Sequence, residues 1–288
     1  MNGVLSGNRI ADVLVYLKKT LSAAGYEERA LTQLSKLLLE DLLNVAYVQI
    51  HLHPNRTLSE SEILQLHRKV KRLVAQEPIQ YVLGYTWFLN RKYWVSPAVL
   101  IPRPETEELV VHVHQRMQGK NNGRLIDLGT GSGCIAIALK DKMPSWEVMA
   151  IDVSQDALNV AIGNAQLNEQ PIVFAQQDIL DMSDFQFAMD VIVSNPPYVL
   201  RGDQIDMQEQ VLKFEPHLAL FVEDHDPLQY YKAITNWAGQ HLLSDGLLAF
   251  EVHENYAQEV AQLLIHSGFR TEVLTDMQDK NRFVFGTR

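Results

Sequence analysis

Asn195-Pro196-Pro197-Tyr198 stands at the end of a β-branched apolar run, Val191-Ile192-Val193-Ser194. Such a run predicts a buried strand. Two prolines, which lack N–H groups and hold φ at about −65°, end any sheet ladder there. Each proline also restricts the residue before it to extended backbone, so Asn195 is held outward and the Pro196 carbonyl meets no local donor. The stretch then offers two acceptors, Asn195 Oδ1 and the Pro196 carbonyl, which match the two hydrogens of an NH2 group. Tyr198 supplies a face for something planar. The chemistry implied is recognition of an amino or amide nitrogen; the plainer alternative is a strand that ends in prolines.

A second cluster precedes it. Asp127-Leu128-Gly129-Thr130-Gly131-Ser132-Gly133 follows an apolar stretch and opens the helical run Ile135-Ala136-Ile137-Ala138-Leu139. Glycines there allow a sharp turn and close approach to a ligand, at a helix N-terminus whose N–H groups are unpaired. With Gly133 third, the loop is G-x-G-x-G and departs from the G-x-G-x-x-G of dinucleotide pyrophosphate loops. A second apolar stretch ends in Ile151-Asp152, about 20 residues downstream, where an acidic side chain reaches ribose hydroxyls. After a third, Asp178 either accepts from an adenine amino group, with Ile179 or Leu180 against the ring, or caps a helix. Loop, spacing and acid together indicate a nucleoside ligand. Glu251 closes a further apolar stretch and is either a crevice residue or a strand-end surface charge. Cys134 is expected as a small buried residue, with no base near it in sequence to make it a nucleophile. His112 and His114 are two apart in a helical run and point to different sides, so no metal site is expected.

Strands and helices must alternate to place these groups together. After Gly123, strands are predicted at Arg124 to Leu128, Glu147 to Val153, Ile172 to Gln176, Met189 to Ser194 and Leu247 to Val252, with amphipathic helices between them. That pattern gives an α/β, doubly wound, mainly parallel sheet, whose ligands lie at the carboxyl ends of the strands. Arg270 to Leu274 and Arg282 to Gly286 are too close for a crossover helix and close the sheet as an antiparallel hairpin. Upstream, Pro102-Arg103-Pro104-Glu105-Thr106-Glu107 starts a helix that Thr106 or Glu105 caps. Tyr85 to Leu89 and Tyr93 to Val95 form a β-hairpin about a turn at Asn90-Arg91-Lys92.

The first part of the chain is helical. Ile10, Val13, Leu14, Leu17 and Leu21 share one face, Leu31, Leu34, Leu38 and Leu42 another, and a Ser59-x-x-Glu62 capping box opens a third helix. We expect a helical bundle over 1–76, a hairpin linker over 77–101 and an α/β domain over 102–288. The 288 residues carry one cysteine, so no internal disulfide is possible, and a net charge of −10 opposes broad nucleic-acid binding. No eighteen-residue apolar run exists and Met1-Asn2-Gly3-Val4 does not begin a leader, so a cytoplasmic protein away from membranes is expected.

In this order the Gly129 to Gly133 loop, Asp152 and Asn195 to Tyr198 resemble class I S-adenosylmethionine-dependent methyltransferases acting on amino or amide nitrogen, with a Rossmann-like fold. Glu77-Pro78-Ile79-Gln80-Tyr81-Val82-Leu83-Gly84, the Pro102 to Glu107 segment, Phe214-Glu215-Pro216 and Leu218-Ala219-Leu220 narrow the resemblance to the release factor glutamine methyltransferases (PrmC, or HemK). The resemblance implies N5-methylation of the glutamine in the Gly-Gly-Gln motif of class 1 peptide chain release factors, in translation termination. It implies that Gly129, Thr130, Gly131, Ser132, Gly133, Asp152, Asp178, Ile179 and Asn195 bind S-adenosylmethionine. Asn195 and Pro196 carry catalysis, and Asn195, Pro196, Pro197 and Tyr198 hold the glutamine. Ile179 stands where some members carry Trp beside the adenine. A monomer is expected, with residues 1–76 recognising the substrate protein. Methylation of a ribosomal protein glutamine, adenine N6 methylation of nucleic acid, and a non-catalytic adaptor are the alternatives.

Overall fold

The computed structural model describes residues 5–182 and 187–288; Met1 to Val4 lie outside them. The chain divides into two compact units, residues 1–84 and 85–288. The first is built from helices α1 (Ile10–Ala23), α2 (Glu28–Leu43), α3 (Tyr47–Leu52), α4 (Glu60–Val74) and α5 (Ile79–Leu83). Its core is the apolar stripe of each long helix: Ile10, Val13, Leu17 and Leu21 of α1 meet Leu31, Leu34 and Leu38 of α2, while Leu14 and Leu42 are only partly covered. The α4 capping box forms as expected, Ser59 Oγ accepting from the Glu62 amide and the Glu62 carboxylate accepting from the Ser59 amide at 2.7 Å. Among the described residues no helix is long and apolar enough to cross a membrane.

The second unit opens with a hairpin, β1 (Tyr85–Phe88) and β2 (Arg91–Trp94). The turn expected at Asn90 to Lys92 lies one residue earlier. Leu89 and Asn90 both take positive φ, as a two-residue turn matched to strand twist requires, so Arg91 and Lys92 join the ladder. Helix α6 (Pro104–Arg116) follows, then β3 (Arg124–Leu128), α7 (Cys134–Lys142), β4 (Glu147–Asp152), α8 (Gln155–Leu167), β5 (Val173–Gln176) and β6 (Met189–Ser194). A short strand β7 (Val199–Leu200), helices α9 (Glu209–Phe214) and α10 (His217–Leu220) and a second short strand β8 (Phe221–Val222) lead to α11 (Gln229–His241). Strand β9 (Leu242–Glu251), α12 (Ala257–His266), β10 (Arg270–Thr275) and β11 (Asn281–Thr287) complete the chain.

The main sheet has the order β10-β11-β9-β6-β3-β4-β5. Neighbours from β9 to β5 pair in parallel, and β11 pairs antiparallel with both β10 and β9. The doubly wound sheet with its antiparallel end is thus as expected. Strand β9, however, starts at Leu242 rather than Leu247, across an irregularity opposite Met189 to Val191. Two apolar layers sandwich the sheet: Leu125, Val191, Ala249 and α6 and α7 side chains on one face, Ile126, Ile192, Phe250 and α11 and α12 on the other. This leaves the carboxyl ends of β3, β4, β5, β6 and β9 along one edge, where loops are free to converge.

Candidate active site

Those loops surround a cavity of about 310 Å³. One half is the loop between β3 and α7. Gly129, Gly131 and Gly133 all have positive φ, which L side chains seldom adopt. A Cβ on Gly131 would meet nothing within 4 Å, whereas one on Gly133 would press on Ile137 and the Ala161 backbone. Thus Gly131 keeps its face of the cavity clear and Gly133 lets α7 pack on α8. Fully buried Asp127 braces the loop from below: its Oδ2 accepts from Thr130 Oγ1 at 2.6 Å and from the Ala136 amide at 3.3 Å. Burial pushes this carboxyl up to about 7, against the pull of the Thr130 and Ala136 hydrogen bonds. Asn164, also fully buried, spans from the hairpin to the loop, its Nδ2 donating to the Trp94 and Ser132 carbonyls and its Oδ1 accepting from the Trp94 amide.

Asp152, at the end of β4, spreads its carboxylate between two backbone donors: Oδ2 takes the Gly131 amide and Oδ1 the Ser154 amide, each at 2.9 Å. Its pKa is raised by burial, partly offset by those donors. Asp178 also lines the cavity. Its Oδ1 accepts from the Leu180 amide at 2.8 Å, so it closes a local turn, and residues 179–182 after it are not helical. Ile179 is buried against Gly129, while half-exposed Leu180 and Tyr230 of α11 give the cavity its apolar and aromatic wall. No local pattern in the sequence points to Tyr230; its helix is amphipathic, and only the packing of α11 against β9 and α12 shows which side faces the cavity. Cys134 is buried and its thiol is pushed up to about 12 by burial, which leaves it protonated.

The other half is the loop after β6. Asn195 and Pro197 line the cavity, Pro196 is buried, and Tyr198 lies outside the lining, edge-on to His253 at 5.9 Å between ring centroids. Burial raises the Tyr198 hydroxyl far above its ordinary value, so it stays protonated. Thr106 does not cap α6. The helix begins at Pro104 with Arg103 preceding it and no side-chain cap, because proline already supplies a residue that needs no N–H partner. Thr106 is instead turned inward, its Oγ1 accepting from Asn195 Nδ2 at 3.2 Å and donating to Glu251 Oε2 at 2.7 Å. Glu251 is 1% exposed, which removes its reading as a surface charge. Above them, the buried Glu215 carboxylate accepts from the Ile101 amide at 3.2 Å and from Arg103 Nη2 at 2.6 Å. The Pro102 to Glu107 and Phe214 to Pro216 segments therefore meet at the cavity rim.

A parallel sheet with a glycine-rich loop after its first strand, an acid after the next and an Asn-Pro-Pro-Tyr loop after the fourth defines a methyltransferase. The comparisons agree. Residues 106–214 match the Methyltransferase small domain and residues 12–84 the PrmC N-terminal domain. A release factor glutamine methyltransferase of Flavobacterium psychrophilum is 39% identical over 91% of this chain and 93% of its own. One of Bacteroides thetaiotaomicron is 36% identical over 96% and 99%. The chain belongs to the release factor glutamine methyltransferase family. In fold alone it is similar to a methyltransferase from Pyrococcus furiosus, at 14% identity and TM-score 0.51 over 80% of this chain and 98% of the other.

Proposed function

We propose that the protein methylates N5 of the glutamine in the Gly-Gly-Gln motif of class 1 peptide chain release factors, using S-adenosylmethionine. The observation that carries the reading is the single cavity shared by Asn195 and the Gly129 to Gly133 loop with Asp152. The fit to the cofactor rests on the open face at Gly131, the Asp152 carboxylate behind it and the apolar wall of Ile179, Leu180 and Tyr230. Asp152 would accept the ribose hydroxyls, and Asp178 the adenine amino group. Bound there, S-adenosylmethionine supplies an activated methyl on a sulfonium.

An amide nitrogen is a poor nucleophile because its lone pair is delocalised into the carbonyl. The task of this chain is therefore positioning. Asn195 Oδ1 and, one residue on and outside the cavity lining as it stands, the Pro196 carbonyl would accept the two amide hydrogens, leaving the third direction on the nitrogen free for the methyl that a bound cofactor would supply. Both acceptors strengthen as the nitrogen turns positive, which is when stabilisation lowers the barrier. Holding both reactants in near-attack geometry contributes on the order of 7 to 11 kcal/mol. Pro197 packs on the glutamine side chain, and Tyr198 supports the loop through His253. The helical unit, residues 1–76 with the short helix that follows, recognises the release factor away from its glutamine. The test is mass spectrometry of a bacterial release factor after incubation with the protein and S-adenosylmethionine. One added methyl on the Gly-Gly-Gln glutamine is expected; none, in the presence of demonstrated cofactor binding, would sink the reading.

A further inference from the structure

The carboxamide of an asparagine has two nearly isosteric ends, and only one of them accepts. If Nδ2 faced the cavity instead of Oδ1, Asn195 would present hydrogens to the hydrogens of the substrate amide. Something must decide the orientation. In this structure the decision is made by a relay behind the loop. Ser194 pairs with Phe250 across β6 and β9, so Asn195 and Glu251 sit side by side at the ends of two parallel strands. Thr106 reaches in from α6 to bridge them.

The sense of the relay follows from proton counting. A threonine hydroxyl has one hydrogen. Glu251 Oε2 takes it at 2.7 Å. Thr106 Oγ1 then has only lone pairs left for Asn195, and so must meet its N–H, at 3.2 Å. With Nδ2 held inward, Oδ1 is presented to the cavity. Glu251 is itself anchored, since its carbonyl accepts from Tyr231 Oη at 3.1 Å and it pairs with Phe283 of β11. An acidic side chain buried at 1% exposure is costly unless hydrogen-bonded. A neutral residue would fill the same space without that cost.

We propose that Thr106 and Glu251 are positioning residues that set which end of the Asn195 carboxamide faces the substrate nitrogen. The proposal rests on the methyl-transfer reading for its kinetic test and on the geometry alone for its spectroscopic one. Thr106→Val keeps the shape and removes the hydroxyl; Thr106→Ser keeps the hydroxyl. With full-length release factor, Thr106→Val is expected to lower kcat roughly 10- to 100-fold, the scale of a misoriented reacting group, while the calorimetric Kd for S-adenosylmethionine changes less than about threefold. Thr106→Ser should recover most of the loss, and Glu251→Met, which leaves the Thr106 hydroxyl without an acceptor there, should lower kcat at least about fivefold. Full activity in Thr106→Val, equal loss in Val and Ser, or unchanged kcat in Glu251→Met would overturn it.

The second measurement is the side-chain amide pair of Asn195 in a 15N–1H NMR spectrum, assigned by its loss in Asn195→Ala. Its two hydrogens should be widely split in the wild type and move toward solvent-exposed values in Thr106→Val. An unmoved pair overturns the relay. This readout needs no substrate. Failure of the wild type to methylate the release factor therefore discards the functional reading while the amide signals still decide the positioning.

Discussion

The two halves of the cavity are built differently. In the glycine-rich half, the bonds that shape the loop itself join residues close in sequence: Thr130 to Asp127 spans 3 positions and Gly131 to Asp152 spans 21, and only the outer brace from Asn164 to Trp94 reaches further, across 70. In the Asn195 half, Asn195 reaches Thr106 across 89 positions, and Thr106 reaches Glu251 across 145. The first half is a property of one β-α-β unit, largely set once that unit folds. The second exists only when α6, β6 and β9 have all assembled. A binding loop that must only shape itself around a ligand can be local. A side chain that must hold a reacting nitrogen to a fraction of an ångström is instead fixed from several directions by the whole sheet.

If the halves divide labour in this way, substitutions should separate kcat from cofactor affinity. The largest effect is expected for Asn195→Ala: a fall in methyl transfer of about 100-fold or more, comparable with loss of a transition-state hydrogen bond, against a much smaller change in the Kd for S-adenosylmethionine. Stopped-flow or radiolabel kinetics beside calorimetry would read both, and equal loss in the two would erase the distinction. Next is Asp152→Asn. Asp152 accepts from the Gly131 and Ser154 amides through different oxygens, and an asparagine satisfies only one of them, turning N–H toward N–H at the other. Cofactor affinity should weaken by about 10- to 100-fold, the scale of a lost charge-assisted hydrogen bond, with kcat at saturating cofactor falling far less.

The same difference decides what was legible in the sequence. The strands β3, β4, β5 and β6, the glycine-rich loop and the acid at Asp152 could be read because period, turn chemistry and spacing are local signals. Asn195 was legible because its two prolines announce themselves. Thr106 looks like a helix cap in the sequence, since its position in the first turn of α6 fits that role and its real partners are distant in sequence. Glu251 is ambiguous between crevice and surface in the sequence because the end of a strand gives no hint of what covers it; β11 and α11 do so. Tyr198 has the composition of a binding face, yet its ring turns to His253, which lies beyond any local signal. The rim was visible only as two separate motifs, around Arg103 and Glu215, with nothing to say that they touch.

That rim gives a third, smaller test. Arg103 is a third exposed while Glu215 is 1% exposed at its side chain. Removing the guanidinium in Arg103→Ala leaves a buried carboxylate with only the Ile101 amide. Stranding a buried charge costs several kcal/mol; with one partner a third exposed, a loss of about 1–3 kcal/mol is expected, read as a lowered Tm. Because the contact spans 112 positions, it should also loosen the Asn195 half more than the glycine-rich half. Hydrogen exchange should then rise in 195–220 before it rises in 127–152. Uniform change in both would show that the halves are not separable.

The smallest effect is on the pH dependence of stability, and each half holds one buried acid that contributes to it. Burial pushes Glu251 up to about 7, against Thr106, Arg282 and Asn195, with Glu105 adding to the rise; Asp127 is likewise pushed up to about 7. A carboxyl with a folded pKa above its unfolded one binds its proton more tightly in the folded state. It therefore contributes stability that is complete below about 4, the ordinary carboxylate range, and is lost as pH rises through about 7. Both groups should make the protein lose stability between pH 5 and pH 8. Glu251→Gln removes the titration in one half and leaves Asp127 in the other, so its Tm should fall less over that interval than the wild-type Tm. Calorimetric Tm values at the two pH values, for both proteins, would show it. An equal fall in the two would mean that Glu251 is ionised across the range and that the orientation of Asn195 is held by a permanent carboxylate; a smaller fall in the variant would mean that Asn195 is oriented by a group that titrates near neutrality.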